Sequence, residues 1–207
     1  MKLKQFEKSE MTREKILAAA VEEFAEKGFY GARVDAIAEA SGINKRMIYA
    51  HFEGKEKLYT KVLLIAYEWV AECERGFMKN DIAPKEAIRF IVQRSFEFLL
   101  DNPKFIRLLM WENLNRAVSI PKDELTKLKA PTFEYMKRQI RLGKESGAFR
   151  QDIDEHQIVL SLMNFGFAHF SNSHTMSALL DRDLASRGEV LARAEFISDM
   201  IVKYLEA

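Results

Sequence analysis

The side chains best suited to chemistry lie in one run, "SGINKRMIYAHFEGKEKLY", from Ser41 to Tyr59. Asn44, Lys45, Arg46, Met47, Tyr49 and His51 follow closely on one another, and Lys55 comes one helical turn later. Their types point to recognition of an anion and of base edges rather than to bond-making. The planar fork of Arg46 can take guanine O6 and N7 together, whereas Lys45 is a mobile point charge suited to a phosphate. Tyr49 and His51 can donate to phosphates. Lys55 falls where a helix begins, and there a cation and free backbone N–H groups both favour a phosphate oxygen.

Chemistry of other kinds finds no support. The four histidines, His51, His156, His169 and His174, lack a metal-ligand spacing such as an i, i+4 pair with a nearby Glu. There is no Gly-rich phosphate loop and no nucleophile elbow, so no enzyme activity, cofactor or metal is expected. The single cysteine, Cys73, excludes a disulfide within the chain and reads as a small helix residue. Lys and Arg number 32 against 31 Asp and Glu, so a nucleic-acid surface must be a local patch. The lysines of "MKLKQFEKSEM" have no apolar run behind them, and no segment reaches the roughly twenty apolar residues of a membrane span. A cytoplasmic protein without membrane contact is expected.

The elements that must position the basic run follow from the hydrophobic period, which is helical almost throughout. Ile16, Ala19, Ala20, Phe24 and Ala25 define a first helix, with Thr12 as candidate N-cap and Gly28 just past its end. Val34, Ile37 and Ala38 sketch a second that Gly42 closes, and Asn44 to His51 a third with Ile48 inward and Phe52 just past its end. Ala38, Gly42 and Ile48 have the spacing of a helix-turn-helix: a small residue at the crossing, a turn glycine and an apolar anchor. The third helix then projects Asn44, Lys45, Arg46, Met47 and Tyr49, as a major-groove reader does.

A long fourth helix, Leu58 to Cys73 and ending near Gly76, has the look of a connector. Beyond it, Pro84 opens a helix that stops before Pro103, and further helices are expected over about Lys104–Val118 and Thr132–Leu142. Asp154 caps a segment to Phe170 that is apolar nearly all round, and Ser186 with Glu189 forms a capping box for a last helix. These last two helices are expected to form a homodimer interface. The fold expected is all-α, with a three-helix helix-turn-helix domain over 1–55, residues 1–11 being a candidate flexible arm. The long helix joins it to a helical ligand-binding and dimerisation domain over 56–207.

Residues Thr12 to Tyr59, with "TREKILAAAVEEFAEKGF" and "VDAIAEASGINKRMIYAHFEGKEKLY", closely resemble the N-terminal domain of the TetR family of transcription regulators. The resemblance implies DNA contacts at Asn44, Lys45, Arg46, Met47, Tyr49, His51 and Lys55, with Ile37, Ile48 and Phe52 as packing. Arg33 stands where the family often has a Thr that caps the second helix; an Arg can reach phosphate but caps poorly. Arg46, Met47 and His51 also depart from common family residues, so the operator cannot be borrowed from a relative. The resemblance further implies a repressor that binds a palindromic double-stranded DNA operator as a homodimer and is released by a small-molecule effector. The segment "NPKFIRLLMWENLNRAVSI" looks like regulators of the family that respond to nitrogen-containing ring compounds, and the effector itself is left unassigned.

For the effector pocket the candidates are Trp69, Phe96, Trp111, Asn115, Phe133, Asn164, Phe165 and His169. They mix large apolar surface with a few polar groups, as small-molecule sites do. Asn115, Asn164 and His169 are the sharper ones, because a polar group on an apolar face must find a partner. The competing reading is a helical protein-interaction module without sequence-specific DNA binding.

Overall fold

In a computed structural model that describes residues 2–79 and 81–206, the chain forms helices α1 (Lys2–Gly31), α2 (Val34–Ser41), α3 (Lys45–Phe52), α4 (Lys55–Phe77) and α5 (Pro84–Asp101). These are followed by α6 (Pro103–Leu114), α7 (Lys122–Glu145), α8 (Glu155–Ser171), α9 (Ser173–Leu180) and α10 (Arg187–Leu205). Strand pairing among the described residues is limited to one isolated bridge, Phe149 with Glu206. Among the described residues, no helix is long and apolar enough to cross a membrane.

The helices divide between two compact units, one of residues 1–67 with 107–125 and one of residues 68–106 with 126–207. The division departs from the expected boundary at 55/56. Half of α4 and most of α6 belong with the helix-turn-helix, because their apolar residues complete its core.

In the first unit α1 buries Ile16, Ala20 and Phe24 against Ile37 of α2, Ile48 and Phe52 of α3, and Leu58, Tyr59 and Val62 of α4. The Tyr59 ring lies 4.9 Å from Phe24 and 5.3 Å from Phe29, centroid to centroid. The helical path of α1 is interrupted at Gly28, whose φ of 66° and ψ of −179° only a glycine adopts without strain. A side chain there would also strike the indole of Trp111 at 2.6 Å. Trp111 in turn donates its indole N–H to the Ala25 carbonyl at 3.3 Å, which fixes α6 on the end of α1. Thr12 sits inside α1 and is no cap; residues 2–11, the candidate arm, continue this helix instead. The side chains of Lys2, Lys4 and Lys8 lie outside the described residues.

The second unit packs α5, α7, α8 and α10 around one core containing Phe77, Ile88, Ile91, Phe96, Tyr135, Met136, Ile140, Leu162, Ile197 and Ile201. Gly166 lets α8 approach α5, since a Cβ there would stand 3.0 Å from Leu99. Helix α7 begins ten residues before the expected Thr132. Pro131 lies inside it on an exposed position, where losing one backbone hydrogen bond is tolerated. Helix α9 was not expected at all, so the two C-terminal helices read from sequence are α8 and α10. The capping box of α10 does not form: Ser186 holds the N-cap conformation without a side-chain bond, and Glu189 pairs with Arg182.

Candidate nucleic-acid interface

The turn between α2 and α3 is built by local chemistry. Gly42 adopts the left-handed conformation with φ of 68°, and the Ile43 amide donates back to the Ala38 carbonyl at 3.2 Å, the six-to-one bond of a Schellman ending. Asn44 then caps α3, its Oδ1 accepting the Met47 amide at 2.9 Å. Glu53, with φ of 60°, ends α3, and the chain turns through Gly54 into α4.

This frame sorts the residues of α3 by period. Ile48 and Phe52 are buried, whereas Asn44, Lys45, Arg46, Met47 and Tyr49 are exposed, Met47 and Tyr49 at 41% and 43%. Two large apolar or aromatic groups on an outward helix face beside two cations suit a groove lined with base edges and thymine methyls. His51 is half-buried beside the Phe52 ring. Asn44 serves the helix as its cap, so its side-chain oxygen is already engaged.

Two of the cations are held by side-chain partners. Lys45 reaches across to α2 and pairs with Asp35 at 2.9 Å. The hydrogen bond and charge of Asp35 hold its ammonium above the usual lysine pKa. Lys55 places its Nζ 4.9 Å from the centre of the Phe29 ring, at the first turn of α4. Arg33 precedes α2 without a side-chain cap, as its type predicts, and its amide donates to Glu23 Oε1 at 3.0 Å. Burial alone would raise the Glu23 carboxyl, but the Arg33 amide and Lys27 hold it below the ordinary value. Asp35 was missed in the sequence because its partner lies ten residues away on another helix.

Residues 16–62, which contain this entire frame, match the family model described as "Bacterial regulatory proteins, tetR family". Residues 84–201 match "Tetracyclin repressor-like, C-terminal domain". The chain belongs to the TetR family. It is 31% identical over 200 residues to the HTH-type transcriptional repressor NicS of Pseudomonas putida, covering 96% of this chain and 94% of that one. It is 36% identical over 112 residues to the HTH-type transcriptional regulator RutR of Escherichia coli, covering 54% of this chain and 51% of that one. A TetR-family regulatory protein from Rhodococcus matches the fold with a TM-score of 0.74 at 19% identity, covering 95% and 97% of the two chains. The protein is thus a DNA-binding transcriptional regulator and not an enzyme.

The effector-pocket candidates are divided between the two units. Trp111 and Asn115 belong to the first unit, Trp111 on Gly28 and Asn115 beside a cleft with Tyr30 and Thr60. Asn164 is exposed. In the second unit Trp69 lines a shallow cleft with Asp101, Asn102, Pro103 and Lys104. Phe96 is buried in the core, with half-buried Phe133 and Phe165 against it. His169 joins them: its ring lies 5.8 Å from that of Phe96, and its Nε2–H donates to the Leu184 carbonyl at 3.0 Å. Burial holds its pKa below the ordinary value, which favours the neutral ring.

The α7 face also buries polar groups that the sequence reading passed over. Lys129 pairs with Glu74, and the other Glu74 oxygen accepts the Thr132 hydroxyl at 2.6 Å. Gln139 lies on the same stripe, fully buried. Their spacing on the inner face would have shown them, had the helix been read from Lys122.

Proposed function

We propose that the protein is a repressor that grips a palindromic operator as a homodimer and is released by a small-molecule effector. The observation that carries the DNA-reading part is the outward face of α3, where Arg46, Met47 and Tyr49 surround a buried Ile48 on a capped helix. Arg46 reads a guanine in the major groove, while Lys45, Tyr49, His51, Lys55 and Arg33 engage phosphates and Met47 meets apolar base edges. The helix-turn-helix domain of 1–55 acts with the start of α4 as one reading unit, and the helical remainder carries dimerisation and effector binding.

The homodimer reading draws support from α10. Val190, Ala194, Ile197 and Ile201 are buried, yet Leu191, Phe196, Met200 and Tyr204 remain exposed on the same helix. Leu160 of α8 is exposed as well. So much apolar surface on two helices suits a second copy of the chain. The repressor name of the Pseudomonas putida relative supports repression as the mode. An effector that prefers the DNA-incompetent arrangement would act through α4, and coupling of this kind is typically about 1–3 kcal/mol. A protein that acts on chromosomal DNA works in the cytoplasm.

The experiment is selection of bound duplexes from a random library at near-physiological salt, repeated with Arg46→Ala. A palindromic motif with half-sites about one helical turn apart is expected from the unaltered chain. Arg46→Ala should relax preference at one position per half-site, costing about 1–3 kcal/mol there. Absence of any motif, or binding indifferent to salt, would favour a protein-interaction module instead.

A further inference from the structure

Gln139 is fully buried, and neither its side-chain oxygen nor its side-chain nitrogen has a hydrogen-bond partner. The other buried polar side chains described in the second unit are all satisfied. Glu74 holds both Lys129 and Thr132, Ser173 donates to the Phe170 carbonyl at 3.0 Å, and Ser198 donates to the Ala194 carbonyl at 2.8 Å. An amide closed away from water with both ends unmet is costly, and a methionine of the same size would remove the penalty. Gln139 therefore has the mark of a group kept for a partner.

The surroundings define that partner's chemistry. On α7, Gln139 shares its stripe with Tyr135, Met136 and Ile140, all members of the apolar core to which Phe77, Phe96 and Leu162 also belong. The buried cation Lys129 is already neutralised by Glu74, and the Nε2 of His169 is taken by the Leu184 carbonyl. Among the described residues, the second unit buries no unpaired charge. What remains is a carboxamide, its NH2 donor group beside its carbonyl acceptor in one plane, among apolar side chains.

Building on the effector-responsive reading above, we propose that Gln139 is the specificity-determining residue of the effector site, and that the effector is a neutral, largely apolar molecule presenting an N–H and a C=O side by side, as an amide or lactam does. The two amides pair through two hydrogen bonds, and because Gln139 is fully buried, binding requires the core around it to open. A carboxylate brings no donor and an uncompensated charge, and a tertiary amide brings no donor, so both are rejected.

The test uses 2-pyridone and benzamide as probes, with benzoate and N,N-dimethylbenzamide as controls, against the protein and its Gln139→Met variant by titration calorimetry. The unaltered protein should prefer 2-pyridone or benzamide over both controls by about tenfold or more, and Gln139→Met should erase that preference. Without ligand, the same variant should unfold about 2–4 °C higher, since an unmet polar group has gone. Preference for benzoate, equal binding by the variant, or no binding by either probe overturns the inference. A parallel assay separates the two readings: small-molecule cell extract is tested for release of the operator. Release that persists in Gln139→Met overturns the role of Gln139 and leaves effector control standing, whereas no release from either protein removes both.

Discussion

Replacing Lys129 with Met tests how the second unit tolerates buried charge. Lys129 and Glu74 are 6% and 5% exposed at their side chains, so neither ion is shielded by solvent. Burial lowers the Lys129 pKa below its ordinary 10.5, and Glu74 opposes that effect. A folded-state value below the unfolded one means that the unfolded chain binds more protons between the two, so stability climbs with pH in the window just below 10.5. The pair as a whole is therefore no large net gain, but breaking it is expensive. Lys129→Met leaves a buried carboxylate with only the Thr132 hydroxyl as partner, a cost of about 3–5 kcal/mol. For a chain of this length that corresponds to a fall of roughly 6–20 °C in unfolding midpoint. Glu74→Gln in the same background removes the stranded charge and keeps an acceptor for Thr132, and the double variant should recover most of the loss. Thermal unfolding followed by circular dichroism gives all four corners of the cycle. A Lys129→Met protein within about 1 kcal/mol of the parent, or a double variant no better than the single, would refute the reasoning.

Three further outcomes are expected. Gly28→Ala forces a side chain onto a backbone with positive φ and into the Trp111 ring, and should cost about 2–5 kcal/mol by chemical denaturation; Gly188→Ala, which meets nothing within 4 Å, serves as the harmless control. Asp35→Asn releases Lys45 from its exposed ion pair and should tighten binding to random duplex a few-fold at low salt while changing stability by less than about 1 kcal/mol, readable by fluorescence anisotropy. Because burial holds the His169 pKa below 6.5, the unfolded chain takes up its proton first on acidification. Stability should therefore fall as pH drops below about 6.5, and His169→Gln should flatten that part of a stability–pH curve.

Local rules were enough for the reading unit. The glycine that ends α2, the asparagine that caps α3 and the four-residue spacing of Ile48 and Phe52 each act within about one turn of chain, so the sequence by itself determined the helix-turn-helix and the face that α3 turns outward. The same rules determined that the rest is helical. They failed at three places in the second unit. Glu189 was drawn from its capping role by Arg182, Pro131 hid the first turns of α7 although its exposed position tolerates it, and the short α9 has too few residues to show a period.

Only the tertiary structure decided which side chains share a space. Trp111 and Asn115 read as pocket candidates because aromatic and polar groups mix there; the fold places both in the first unit, where Gly28 opens a seat for the indole against α1. Conversely, Lys129, Thr132 and Gln139 are polar residues that α7 turns inward, where Glu74 satisfies two and the third is left unmet. Helix formation and capping are settled between near neighbours in sequence. Burial and pairing depend on which distant segment arrives, and a single chain of residues carries that information only through the packing of its helices.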